Sequence, residues 1–239
     1  MKCPYDICNG TGFIPVVLDN GEEEVKPCKC RLEKSGRDSL KKKRIDSHIP
    51  VKYWDYTLEN YKKISNLLPL DIREFNKDKI AVIEQYITDP QLFLEGSQVL
   101  WLWGKDDNSC HTTLAIILAE ELLKKGKKVL FIEFYKLLEM FTNFDEKNVF
   151  FKELKDQHVY VIDDAFDTTR CTTSAYKQNQ LFGFINDVLN DNKHIICTSN
   201  CKVGEIDTSL FGQLKIILSR SVEQLEIRGT LTNILRQIK

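Results

Sequence analysis

Residues 98–104 read Gln98-Val99-Leu100-Trp101-Leu102-Trp103-Gly104, an apolar run closed by glycine. A run without polar alternation predicts a strand buried on both faces, as in a parallel sheet. From Thr112-Thr113-Leu114-Ala115 to Lys125 the pattern is helical, with lysines in the last turn and Gly126 as the stop. Strand, glycine, loop and helix in this order form the place where a phosphate-binding loop sits. Such a loop has the form GxxxxGK[ST], in which glycines let backbone amides wrap phosphates and a lysine reaches the outer ones.

The loop itself reads Gly104-Lys105-Asp106-Asp107-Asn108-Ser109-Cys110-His111-Thr112-Thr113. Counting from Gly104 puts Cys110 at the lysine position. Counting back from the helix start puts His111 there, with one extra residue in the loop. The second register is preferred, because it keeps the Thr112 hydroxyl for Mg²⁺. Neither register supplies a lysine or a second glycine, and Asp106 and Asp107 add negative charge. The candidate phosphate contacts are Gly104, Ser109, Cys110, His111, Thr112 and Thr113.

Further along, Val159-Tyr160-Val161-Ile162-Asp163-Asp164 is four apolar residues ending in two acids. Asp163 is the candidate Mg²⁺ ligand, directly or through water, and Asp164 the residue that polarises an attacking water. Ile195-Ile196-Cys197-Thr198-Ser199-Asn200 places an amide at the tip of the next strand, where it could orient that water. Strands are also expected over 128–134 and 224–227, and helices over 135–142, 174–190 and 210–218. Alternation of this kind gives an α/β fold with a parallel sheet flanked by helices. Ligands of such sheets bind at the carboxyl ends of the strands, where all three motifs fall.

The 239 residues are 42% hydrophobic and 29% charged, with a formal net charge of −1. That excludes a disordered chain and allows one domain plus a small appendage. No apolar run approaches 20 residues, and Met1-Lys2-Cys3-Pro4 opens no secretory segment, so a cytoplasmic protein without membrane contact is expected. Near-neutral charge means that nucleic acid must be met by local basic patches.

The appendage lies at the start. Cys3-x4-Cys8 and Cys28-x-Cys30 are two close pairs about 20 residues apart, and Gly10 and Gly12 lie between them. Two turns facing each other supply four thiolates in tetrahedral geometry, the form of a structural zinc site with no open position. A segment this short cannot build its own core, so metal is the economical staple. The expected division is a zinc module over 1–32, a basic linker over 33–50 around Lys41-Lys42-Lys43-Arg44, and a core over 51–239. Phe141, Phe144, Phe150 and Phe151 are expected to pack a helical insertion, Trp101 and Trp103 to lie in the core, and Cys110, Cys197 and Cys201 to be incidental.

The order of these motifs resembles the DnaC/DnaI-type bacterial helicase loaders, a branch of the AAA+ ATPases that includes the IstB-like transposition helpers. The resemblance spans nearly the whole chain and includes Ile49-Pro50-Val51-Lys52-Tyr53-Trp54-Asp55-Tyr56-Thr57-Leu58-Glu59-Asn60-Tyr61, which looks like the linker before an AAA+ core. It implies that Asp163 and Asp164 are Walker B acids and Asn200 is sensor 1. Arg220 matches an arginine finger that reaches a neighbouring subunit of a homo-oligomer. The implied cofactors are structural Zn²⁺ and ATP or ADP with Mg²⁺. The implied partners are a DnaB-type replicative helicase, met through the N-terminal region, and single-stranded DNA. The sensor 2 arginine, which follows the glycine of the last strand, is missing after Gly229 or replaced by Arg228. Two functions stay open at this point: a helicase loader, or a non-hydrolysing AAA+-like protein that engages helicase or DNA as an interaction or inhibitory module.

Overall fold

A computed structural model of the chain describes residues 3–105, 110–142, 154, 156–167 and 173–229. They divide into two compact units, Met1–Asp46 and Ser47–Lys239.

In the first unit, β1 (Phe13–Val17) and β2 (Glu23–Pro27) form an antiparallel hairpin, followed by α1 (Lys29–Asp46). The hairpin faces are largely exposed and α1 buries no residue. The buried side chains are Cys3, Cys8 and Cys28, with Ile14 and Cys30 packed on them. The basic stretch expected as a linker is instead the body of α1, so the boundary falls after Asp46. Its run of lysine, arginine, glutamate and leucine has high helix propensity, and no proline interrupts it.

The second unit opens with α2 (Leu58–Ser65), α3 (Leu70–Thr88) and α4 (Pro90–Glu95), to which the sequence reading assigns no elements. Thr57 caps α2 by accepting from the Asn60 amide, and Asp89 caps α4, which has proline at its first position. The alternating part follows as β3 (Val99–Trp103), α5 (His111–Lys124), β4 (Val129–Glu133), α6 (Phe134–Met140), β5 (Val159–Asp163), α7 (Ala175–Asn190), β6 (His194–Ser199), α8 (Thr208–Leu218) and β7 (Val222–Glu226). The strands pair in parallel in the order β4-β5-β6-β3-β7, which inserts β6 between β3 and β5.

Side-chain alternation splits β3 between two cores. Leu100 and Leu102 join Leu114 and Leu118 of α5, while Val99, Trp101 and Trp103 join Leu137, Leu181 and Leu214 from α6, α7 and α8. Both tryptophans are core residues, as expected. Phe141 is fully buried with its ring centroid 6.4 Å from that of Phe184, and the other three phenylalanines of that group lie outside the described residues. Among the described residues, no helix is long and apolar enough to cross a membrane.

Candidate functional site

The strand order brings the carboxyl ends of β3, β6 and β5 side by side, and with them Gly104, Asn200 and Asp163. The deciding contact is between loop and acid. Thr112 Oγ1 donates to Asp163 Oδ1 at 2.7 Å, which matches the register with His111 at the lysine position. Thr198 Oγ1 donates to the same oxygen at 2.6 Å and accepts from the Asp164 amide at 3.1 Å. The sequence reading gave Thr198 no role. Its signal is a hydroxyl within the apolar strand β6, beside the acidic end of β5.

Burial is the largest influence on Asp163 and holds its carboxyl above the usual range, against the lowering effect of both hydroxyls and of Lys52. A buried carboxylate in that condition, flanked by a threonine hydroxyl, is a donor set that suits a hard divalent cation. The next turn is strained. Asp164 and Phe166 have φ of 51° and 64°, left-handed values that a bulky residue adopts only at a cost of about 1–3 kcal/mol. The Ala165 amide donates to the Thr198 carbonyl at 2.7 Å, and Ser199 Oγ donates to the Ala165 carbonyl at 2.8 Å. Phe166 is held by Phe134 and Phe211, with ring centroids 4.9 and 5.0 Å away. These contacts fix where Asp164 stands.

At the described end of the candidate loop, the residues differ in chemistry from those of a phosphate loop. Cys110 has φ 61°, the conformation that glycine accepts without strain, and begins α5 with no side-chain cap. Burial raises its thiol to about 11 and also raises those of Cys197 and Cys201, so none is poised as a nucleophile. His111 is buried, and burial lowers its imidazole to about 4 against the pull of Asp164. It is therefore neutral at pH 7 and cannot replace a lysine charge. Thr113 is buried in the first turn of α5, and Ser109 lies outside the described residues.

The remaining candidates separate. Asn200 is exposed at the tip of β6. Arg220 is exposed just before β7, at the amino end of the sheet, where the Ser221 carbonyl accepts from the Val99 amide at 3.1 Å. A five-residue strand, about 16 Å, separates that edge from Asp163, so Arg220 does not serve its own chain's site. Lys105 Nζ lies 3.2 Å from Glu205 Oε1. Arg228 pairs with Glu226 at 2.7 Å and stacks 3.7 Å from the Phe75 ring centroid.

The neutral state of His111 has a measurable consequence. Its folded value near 4 lies below the unfolded value of 6.5, so between these limits the unfolded chain binds more protons. Stability contributed at pH 7 is then lost as pH falls from 6.5 toward 4, by about 2 kcal/mol between pH 7 and 5. His194 acts in the same direction, and the raised Asp163 in the opposite one. In His111→Gln, denaturant unfolding at the two pH values should show a loss smaller by about 2 kcal/mol.

In the first unit, the sulfurs of Cys3, Cys8, Cys28 and Cys30 all lie within 4.8 Å of one another. Cys3–Cys28 and Cys8–Cys30 are 3.9 and 3.5 Å apart, close to the roughly 3.8 Å edge of a tetrahedron with 2.3 Å Zn–S bonds. The Gly12 amide donates to Cys8 Sγ at 3.2 Å, the outer-shell bond that steadies a thiolate ligand. These four residues could hold a zinc ion.

No family model matches the sequence, and no curated protein matches it. Solved structures do match. The DnaC helicase loader superposes with a TM-score of 0.59 at 18% identity, over 75% of this chain and 100% of that one. The core has the AAA+ fold. A DnaI structure gives 0.56 at 16% identity, covering 77% of this chain and 93% of that one. DnaA of Aquifex aeolicus bound to AMPPCP gives 0.58 at 18% identity, over 73% of this chain. The chain spans about half the length of the AMPPCP-bound DnaA structures it matches.

Proposed function

We propose that this protein is a replication accessory factor of the helicase-loader type, in which an AAA+ core responds to nucleotide and the cysteine unit is closed by a structural zinc ion. The observation that carries the reading is the Thr112–Asp163 hydrogen bond at 2.7 Å between the loop after β3 and the acid ending β5. It joins a metal-binding hydroxyl to a metal-binding carboxylate on the sheet edge where nucleotides bind in such folds. The fold likeness to a DnaC loader over its full length, and to a DnaA bound to AMPPCP, supports this reading.

Bound nucleotide with Mg²⁺ would supply the charge to which the core responds. Thr112 and Asp163 would hold the metal. Asp164, fixed by its strained turn, and Asn200 would orient water, and Arg220 would act on the site of a neighbouring copy. Buried, neutral His111 favours a protein that binds nucleotide weakly and hydrolyses it near background, so the non-hydrolysing alternative keeps a specific observation behind it. The helicase partner is a DnaB-type hexamer met through the first unit. Single-stranded DNA has a candidate path along the groove of about 770 Å³ that holds Arg31, Lys34, Arg37 and Lys42.

Co-purification with a replicative helicase tests the partner. The whole chain should retain the helicase, and deletion of residues 1–46 should abolish retention while the core stays folded. Retention by the core alone would assign the partner surface to the second unit. Loading assays with and without ATP then separate loader from inhibitor.

A further inference from the structure

The lost loop lysine leaves the phosphate site without its cation, and the geometry points to Lys52, upstream of the whole AAA+ sheet, as the side chain that supplies it. This rests on the nucleotide reading above. The segment before α2 is tied to the sheet edge, where the Ser47 carbonyl accepts from the Phe131 amide in β4 at 2.9 Å. Buried Ile49 continues it, its carbonyl accepting from Trp54 Nε1 at 3.0 Å. A 3-10 turn over Val51–Tyr53 follows, closed by the Tyr53 amide on the Pro50 carbonyl at 3.0 Å.

Ser47 lies beside Phe131, two residues before the end of β4. In the β4–β5 register, Glu133 stands opposite Asp163. The turn, four to six residues beyond Ser47, is thus brought toward the edge that carries the acids. The electrostatics agree. Tyr53 is half-buried, and its hydroxyl is pushed up first by burial and then by Asp163 and Asp164. Burial is the largest influence on Asp163 and Glu133, and Lys52 is a lesser, lowering charge felt by both.

Among the described residues, other cations near this edge are paired with carboxylates. Lys105 pairs with Glu205, Lys136 with Glu133, and Arg228 with Glu226. Lys52 forms no ion pair among the described residues. Its ammonium rests 4.8 Å from the centroid of the Tyr53 ring and is exposed. An ammonium held on an aromatic face, within the field of a buried acid that takes up Mg²⁺, is placed for the outer phosphates of a nucleoside triphosphate.

The test is titration of the full chain with Mg·ATP, Mg·ADP and AMP by calorimetry, for the unaltered protein and for Lys52→Ala, Lys52→Arg and Asp163→Ala. Lys52→Ala should weaken ATP roughly tenfold or more, ADP less and AMP little, with melting temperature unchanged because the side chain is exposed. Lys52→Arg should keep most of the affinity. Equal ATP affinity in Lys52→Ala and the unaltered protein, with loss in Asp163→Ala, overturns the proposal and leaves the nucleotide reading standing. A uniform loss across ATP, ADP and AMP also overturns it, since that is a lost base or packing contact. No binding of any nucleotide by the unaltered protein removes both.

Discussion

Stripping zinc from the first unit, or replacing Cys3 and Cys28 together with serine, is expected to unfold residues 1–46 while the second unit stays folded. The hairpin and α1 bury almost nothing apart from the cysteines themselves, so no hydrophobic core remains to hold them once the metal is gone. Four thiolates within 4.8 Å of one another also need a cation, because like charges at that distance repel. For structural zinc sites the binding free energy is folding free energy, on the order of 10–16 kcal/mol near neutral pH. Elemental analysis should give about one zinc per chain, released by thiol-specific reagents in step with loss of hairpin and α1 signals in NMR spectra. Signals from the core should not move. Stoichiometric zinc retained in the double serine variant would show that other residues hold it.

The sheet was legible because its strands are apolar on both faces and end in punctuation: Gly104 after β3, Asp163-Asp164 at the end of β5, Asn200 after β6. Burial on both sides leaves little room for alternative periodicity. The α2–α4 layer was not legible. In α3 the buried positions are Asn76 and Ile83, and a helix that buries an asparagine gives a weak apolar stripe. Asn76 is buried because its side chain clamps a distant backbone, accepting from the Arg228 amide at 3.0 Å and donating to the Arg228 carbonyl at 2.8 Å. No local pattern announces a bond across 152 residues. The α1 helix was missed for the opposite reason, since a highly charged run without an apolar face reads as linker and helix alike.

At the site, the residue types were legible and their couplings were not. Thr112 and Asp163 could be named from strand ends and helix starts, and the preferred register rested on the Thr112 hydroxyl, but their bond to each other was not legible. The left-handed turns at Cys110, Asp164 and Phe166 carry none of the glycines that would advertise them. Local rules are broken at three positions around one sheet edge. They are three of the seven non-glycine residues with positive φ among the described residues, and strain at a site is retained where it fixes a side chain's position.

Replacing His111 with lysine and Cys110 with glycine should turn a weak phosphate loop into a working one. Cys110→Gly removes the cost of φ 61° and clears the Cβ from the backbone that amides need in order to approach a phosphate. His111→Lys puts a full positive charge where the present imidazole, lowered to about 4 by burial, has none at pH 7. A charge-assisted phosphate contact contributes about 1.5–3 kcal/mol, so Mg·ATP affinity should rise tenfold or more. The buried ammonium is costly without its anion, and the double variant should therefore melt at lower temperature unless nucleotide is present. Adding Asp163→Ala should cancel the gain, because Thr112 and Asp163 are joined at 2.7 Å and would hold Mg²⁺ together in the proposed site. Calorimetric titration of the three proteins with Mg·ATP decides the matter. Unchanged affinity in the double variant would mean that this loop does not cradle phosphates, and the core would then act as an AAA+ fold that recognises its partner without nucleotide.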